Sequence, residues 1–208
     1  MRLRSLEKCF NHSHLRVYFQ RKFEAPRAFS ELGVGEGSTC LEIGCGQGAG
    51  ALLINQYLGP KRVVCVDIDR ENMELARLYT SRPPKWARNA RSDNINFFCG
   101  DAARLAFVDS SFNAVFLFGA LHHIREWRSV IAEVFRVLKV GGVFALEEAL
   151  FPDSFFFFNW LSGHVPIAEA EMRDALATSG FSIQRFEITK RFEMTSRLPA
   201  CSVRAVKA

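Results

Sequence analysis

The chain has 208 residues, a net charge of +5 and 49% hydrophobic residues, with 20 phenylalanines. That length and apolar content suit one domain with a full core and exclude a largely disordered chain. The densest basic cluster, Arg82, Lys85, Arg88 and Arg91, lacks the aromatic interleaving of a nucleic-acid groove and reads as a solvated surface.

Residues 1–35 are expected to form an N-terminal helical cap, with Leu15, Phe19 and Phe23 at helical spacing before Pro26. Cys9, His12 and His14 lie near one another but have no partner cluster, so no metal site is expected. The six cysteines form no C-x-x-C pair and read as reduced thiols of a cytoplasmic protein. A charged start and the lack of a long apolar run predict neither a signal peptide nor a transmembrane segment.

A strand at 39–43 is followed by Gly44-Cys45-Gly46-Gln47-Gly48 and a helix over 47–58. A second strand, 62–67, ends on Asp67, and Asp69 caps a helix over 70–80. After a polar loop, 81–93, comes a third strand at 95–99, then Gly100-Asp101-Ala102. A fourth strand, 112–118, leads into Leu121-His122-His123-Ile124. An apolar stripe predicts a helix over 127–138, ended by Gly141-Gly142, before a fifth strand at 143–150. The aromatic run Phe155 to Leu161 precedes a helix over 169–179, closed by Gly180. Strands at 181–189 and 202–207 have no helix between them, which predicts a hairpin and an antiparallel last strand.

Strands alternating with helices define an α/β fold: a Rossmann-like, seven-stranded, mostly parallel sheet with helices on both faces. The whole chain reads as one domain, with a cap (1–35), a cofactor-binding core (36–150) and an acceptor-side lid with the C-terminal strands (151–208).

A strand that turns on glycines into a helix cradles a nucleotide-like ligand. Gly44, Gly46 and Ala49 fit the dinucleotide spacing, with Asp67 at the distance of a ribose ligand. Glu42 and the three glycines also form E-x-G-x-G-x-G, which resembles motif I of class I S-adenosylmethionine-dependent methyltransferases. Gly100-Asp101-Ala102, Leu121-His122-His123 and Leu138-Lys139-Val140-Gly141-Gly142 resemble that family's later motifs in order and spacing, with Val140 in place of the usual proline. The likeness covers residues 35–150 and is to the small-molecule group that includes the ubiquinone and menaquinone C-methyltransferases. The dehydrogenase alternative lacks a placeable Tyr-x-x-x-Lys: Tyr18/Lys22 precedes the loop and Tyr57/Lys61 ends its helix.

The resemblance implies S-adenosylmethionine as donor and S-adenosylhomocysteine as product. It implies that Glu42 places the loop and the methionine end, beside Gly44, Cys45, Gly46 and Gly48. Asp67 would accept the ribose hydroxyls and Asp101 the adenine amine. Ile68 and Ala102 would flank the ring, and Phe118 would complete the cofactor set. His122 and His123 are the catalytic candidates at the acceptor end. Glu147 and Glu148 also sit near that rim, and strand alternation lets at most one face it. The expected reaction is direct methyl transfer to a small, apolar molecule, with no nucleic-acid partner, since no Asn/Asp-Pro-Pro-Tyr follows the fourth strand. An RNA or protein methyltransferase and an inactive adenosylmethionine-binding domain are the alternatives.

Overall fold

Short β-branched and aromatic runs bounded by glycine and charged turns form the strands: β1 (Thr39–Ile43), β2 (Arg62–Asp67), β3 (Ile95–Cys99), β4 (Phe112–Phe118), β5 (Leu138–Ala149), β6 (Phe181–Lys190) and β7 (Pro199–Lys207). The computed structural model describes residues 13–150, 164–190 and 199–208. Cys9, His12 and the Phe155 to Leu161 segment lie outside the described residues. The strands make one sheet in the order β3-β2-β1-β4-β5-β7-β6. The first five are parallel to one another, and β7 is antiparallel to both β5 and β6.

Strand alternation divides the core in two. Leu41, Ile43, Val64, Val66, Val115, Leu117, Phe144 and Leu146 pack on one face against α5 (Trp127–Val137) and α6 (Glu169–Thr178). Cys40, Val63, Cys65, Ala114, Phe116 and Ala145 face the other way, toward α3 (Ala49–Leu58). Helix α5 buries Trp127, Val130, Ile131, Val134 and Val137, each worth roughly 1.5–3 kcal/mol relative to exposure. α4 (Arg70–Ser81) is capped by the Asp69 side chain, which accepts from the Glu71 amide at 3.0 Å.

Three boundaries depart from the sequence expectation. Helix α3 begins at Ala49, not at residue 47, because Gly46 and Gly48 hold positive φ. Helix α5 stops at Val137. Leu138 is buried and already extended opposite Phe112, so β5 runs through Gly141 and Gly142 instead of starting after them. β7 starts at Pro199, which extends its pairing with β5 to Ala149.

The described part of the cap contains α1 (His14–Phe19), a π-turn over Gln20–Glu24, and α2 (Ala25–Ala28). It buries Val17, Ala25, Ala28, Phe29 and Leu32 together with a polar set. Arg16, Gln20 and Glu24 are buried, whereas Phe23 is 45% exposed and Leu15 and Phe19 are only partly covered. Arg16 donates to Glu24 at 3.0 Å and to the Phe118 carbonyl at 3.2 Å. Both bonds come from Nη2, whereas Nη1 is buried with no hydrogen-bond partner among the described residues.

The cap is fastened from behind. Arg27 pairs with Glu147 of β5 at 3.0 Å. Arg185 of β6 donates to the Ser30 hydroxyl at 2.7 Å and to the Arg27 carbonyl. Arg204 of β7 donates to the Glu31 carbonyl at 2.8 Å.

Candidate cofactor and acceptor site

A cavity of about 910 Å³ opens at the carboxyl ends of the parallel strands, where open α/β sheets hold ligands. The turn from β1 into α3 forms one wall. Gly44 has φ +69°, and its amide donates to the Val66 carbonyl at 2.8 Å; a Cβ there would lie 2.4 Å from that of Ala120. Gly50 is constrained by Glu42: its Cβ would fall 1.8 Å from Glu42 Oε1. The sequence reading missed Gly50; the signal was a buried acid facing a fourth glycine eight residues on.

Glu42 is buried and lines the cavity. Burial pushes its carboxyl up to about 8; the Cys65 thiol, donating at 3.7 Å, and the Ala51 backbone oppose the rise, while the Asp67 charge adds to it. Burial also holds the Cys45 thiol well above its ordinary value, so Cys45 serves the turn as backbone and filler.

Asp67, at the tip of β2, knits the two loops together. Its Oδ2 accepts from the Gly46 amide at 3.0 Å. Its Oδ1 accepts from the Asp69 amide at 2.9 Å and from Asn72 Nδ2 at 3.2 Å. Ile68, 54% exposed, follows it on the cavity wall. Asp101 accepts from the Ala103 amide at 2.9 Å in a turn that presents Asp101 and Ala102 to the same cavity. Phe118 is buried at the end of β4 and also lines it. Nine of the ten expected cofactor positions line this one cavity; the tenth, Gly48, is the N-cap of α3 and does not.

At the other end stand His123, Ile124, His164 and Val165. His123 lines the cavity. His122 does not; it is buried, and its Nδ1 pairs with Glu148 Oε1. Of the two rim candidates Glu147 and Glu148, at most one of which could face the site, neither lines the cavity. The pleat sends Glu147 to the cap side, where burial raises its carboxyl to about 7 while Ser202 and Arg27 pull it down. Glu148 points to the opposite face, where it meets His122 and the Leu121 amide. The Arg82–Arg91 cluster contributes nothing to the wall. Arg16, Gln20, Asn72 and His164 do line it, and sequence reasoning had singled out none of them as site residues.

The methyltransferase domain family matches residues 41–146, from β1 into β5, and the chain belongs to that family, whose methyl donor is S-adenosylmethionine. The chain is similar to a sterol 24-C-methyltransferase of Aspergillus fumigatus, 34% identical over 125 residues, which are 60% of this chain and 31% of that one. It spans about a third of the length of several such curated relatives. The fold is shared with a geranyl diphosphate C-methyltransferase of Streptomyces coelicolor, solved with Mg²⁺, geranyl diphosphate and S-adenosyl-L-homocysteine (TM-score 0.77, 13% identity, 92% of this chain and 80% of that one). It is shared too with a chain from the solved complex of the Haloferax volcanii Trm112 methyltransferase activator with a methyltransferase (TM-score 0.75, 19% identity, 99% of both chains).

Proposed function

We propose that the chain is an S-adenosylmethionine-dependent methyltransferase that acts on a small, apolar molecule. One observation carries the reading: a single cavity runs from the glycine turn, Glu42, Asp67 and Asp101 to His123, under a cap that contributes Arg16 and Gln20. In this reading Asp67 accepts the ribose hydroxyls and Asp101 the adenine amine. Ile68, Ala102 and Phe118 pack on the donor. Gly44, Cys45, Gly46 and Gly48 let the backbone close on its methionine end beside Glu42. His123, with His122 behind it, handles the acceptor.

An acceptor electron pair attacks the methyl carbon and forms the new bond, the carbon–sulfur bond breaks, and its bonding electrons stay on sulfur as S-adenosylhomocysteine leaves. The donor carries the activated group, so the protein's work is alignment and exclusion of water. An apolar acceptor is supported by the abundance of phenylalanine and by relatives named for sterol and geranyl diphosphate methylation. The absence of the basic cluster from the cavity wall argues against nucleic acid. A cytoplasmic location belongs to the same reading; it is supported by Cys40, Cys45, Cys65 and Cys201, which are buried as free thiols. No described helix is long and apolar enough to cross a membrane.

Calorimetry with S-adenosylmethionine, S-adenosylhomocysteine and NAD tests the donor: the first two bind and NAD does not bind comparably. Tighter binding of NAD overturns the reading. Methyl-labelled donor offered with sterol and isoprenoid lipids, RNA and protein tests the acceptor, with label expected in the lipid fraction.

A further inference from the structure

His164 arrives beside His122 and His123 from a distant part of the chain. The Val165 amide donates to the His122 carbonyl at 2.8 Å and pins that neighbour of His164 to the turn after β4. The three rings lie close together. Their centroids are 4.0 Å apart for His122–His123, 4.9 Å for His122–His164 and 5.0 Å for His123–His164. The planes are tilted by 46°, 85° and 58°, so the rings do not stack flat and their edges can converge. One ring nitrogen from each histidine lies within 4.8 Å of those of the other two.

From this geometry we propose that His122, His123 and His164 form a binding site for a divalent transition-metal cation of the zinc type at the acceptor end of the cavity. The donor set decides the cation class. Imidazole nitrogens suit zinc, cobalt, nickel and iron, whereas magnesium and calcium require oxygen ligands. A tetrahedral zinc with bonds of about 2.1 Å places its nitrogens about 3.3 Å apart, so small ring rotations close the triad.

The surroundings provide what metal-bound histidines need behind them. His122 Nδ1 pairs with Glu148 Oε1, which leaves Nε2 as the metal-facing nitrogen. Glu148 is fully buried. Its Oε2 accepts from the Leu121 amide at 2.7 Å and its Oε1 from the Ala149 amide at 2.8 Å, so the carboxylate is fixed before it orients the ring. A carboxylate–histidine–metal arrangement fixes the tautomer and strengthens the ligand. His123 and His164 line the cavity. Three protein ligands leave a fourth position open, and that position faces the cavity. An oxygen, nitrogen or sulfur atom of the bound molecule, or water, fills it. The metal site stands independently of the methyl-transfer reading; only the assignment of the fourth ligand to the methyl acceptor rests on it.

The test is titration of the whole, chelator-treated protein with Zn²⁺ and Co²⁺, followed by calorimetry and by the visible spectrum of Co²⁺. One equivalent per chain is expected, with the intense absorption of a four- or five-coordinate cobalt site and no competition from Mg²⁺. His123→Ala and His164→Ala should each weaken Zn²⁺ binding at least 100-fold, and Glu148→Gln 10- to 100-fold. His123→Gln repeats the first test with less loss of volume. Binding of S-adenosylhomocysteine by the same preparations reports that the fold is intact. Absence of stoichiometric Zn²⁺ binding overturns the metal site, and so does binding that survives both alanine substitutions. If S-adenosylhomocysteine still binds in that case, the methyltransferase reading stands without the metal.

Discussion

Glu42 and Asp67 carry the sharpest expectations for single residues. The folded carboxyl of Glu42 titrates near 8 instead of its ordinary 4.5. Below about pH 4.5 both folded and unfolded chains hold this proton. Between 4.5 and 8 only the folded protein does, so stability falls as pH rises through that window and the penalty is complete above it. Glu42→Gln should flatten this part of the stability profile and raise stability at pH 8, on the order of a few kcal/mol at most, as read by urea unfolding at pH 5 and pH 8. A cationic donor beside the carboxyl favours its charged form. Cofactor binding near pH 7 should therefore release a proton, detectable by calorimetry in two buffers of different ionisation enthalpy and absent in Glu42→Gln. Asp67→Ala should weaken S-adenosylhomocysteine binding by roughly 1–3 kcal/mol. From sequence, Asp67 reads as a strand-tip residue whose removal spares the fold. Its bonds to the Gly46 and Asp69 amides and to Asn72 predict a loss of stability as well, about 1–2 kcal/mol by denaturant midpoint.

Among the elements, the β1–α3 unit couples the buried acid to the helix start. Gly50→Ala brings a methyl into the space of the Glu42 carboxylate and should cost roughly 1–3 kcal/mol. With Glu42 also changed to Ala, the same substitution should cost little or turn favourable, since Ala is the better helix former by up to about 1 kcal/mol. A double-mutant cycle by chemical unfolding measures that coupling. Strands β1 to β4 were legible in the sequence because each apolar run ends at a glycine, an acid or a charged turn. The junction of α5 with β5 was not. Gly141-Gly142 looks like a helix stop, yet the stop is set earlier by Leu138 finding Phe112 across the sheet, a contact that local sequence does not encode. The cap misled in a similar way: helical spacing favours Leu15, Phe19 and Phe23, whereas the residues turned inward on the first helix and the π-turn are Arg16, Val17, Gln20 and Glu24, of which Arg16 and Gln20 meet the cavity. The cofactor side of the site lies at strand ends in sequence order and could be read. His164 could not, since it is brought to His122 only by the path of the chain after β5.

At the scale of the molecule, residues 27–31 are held by β5, β6 and β7 through Arg27, Arg185 and Arg204. Arg185→Ala should loosen the cap while sparing the sheet: amide exchange should speed up over residues 14–31 and S-adenosylhomocysteine should bind several-fold more weakly. Unchanged exchange there would assign the anchoring to the other two arginines. The anchors have a consequence in time. Ser30 waits 155 residues for Arg185, and Glu31 waits 173 for Arg204. On the ribosome the cap is therefore made long before the strands that anchor it and lodges only after them. The glycine turn and Asp67 emerge long before anything can roof them, and a nascent chain that stalls before the C-terminal hairpin carries an open trough. Enclosure of the donor is thus tied to the synthesis of β6 and β7, so that a product lacking these strands is a poor trap for the cell's methyl donor.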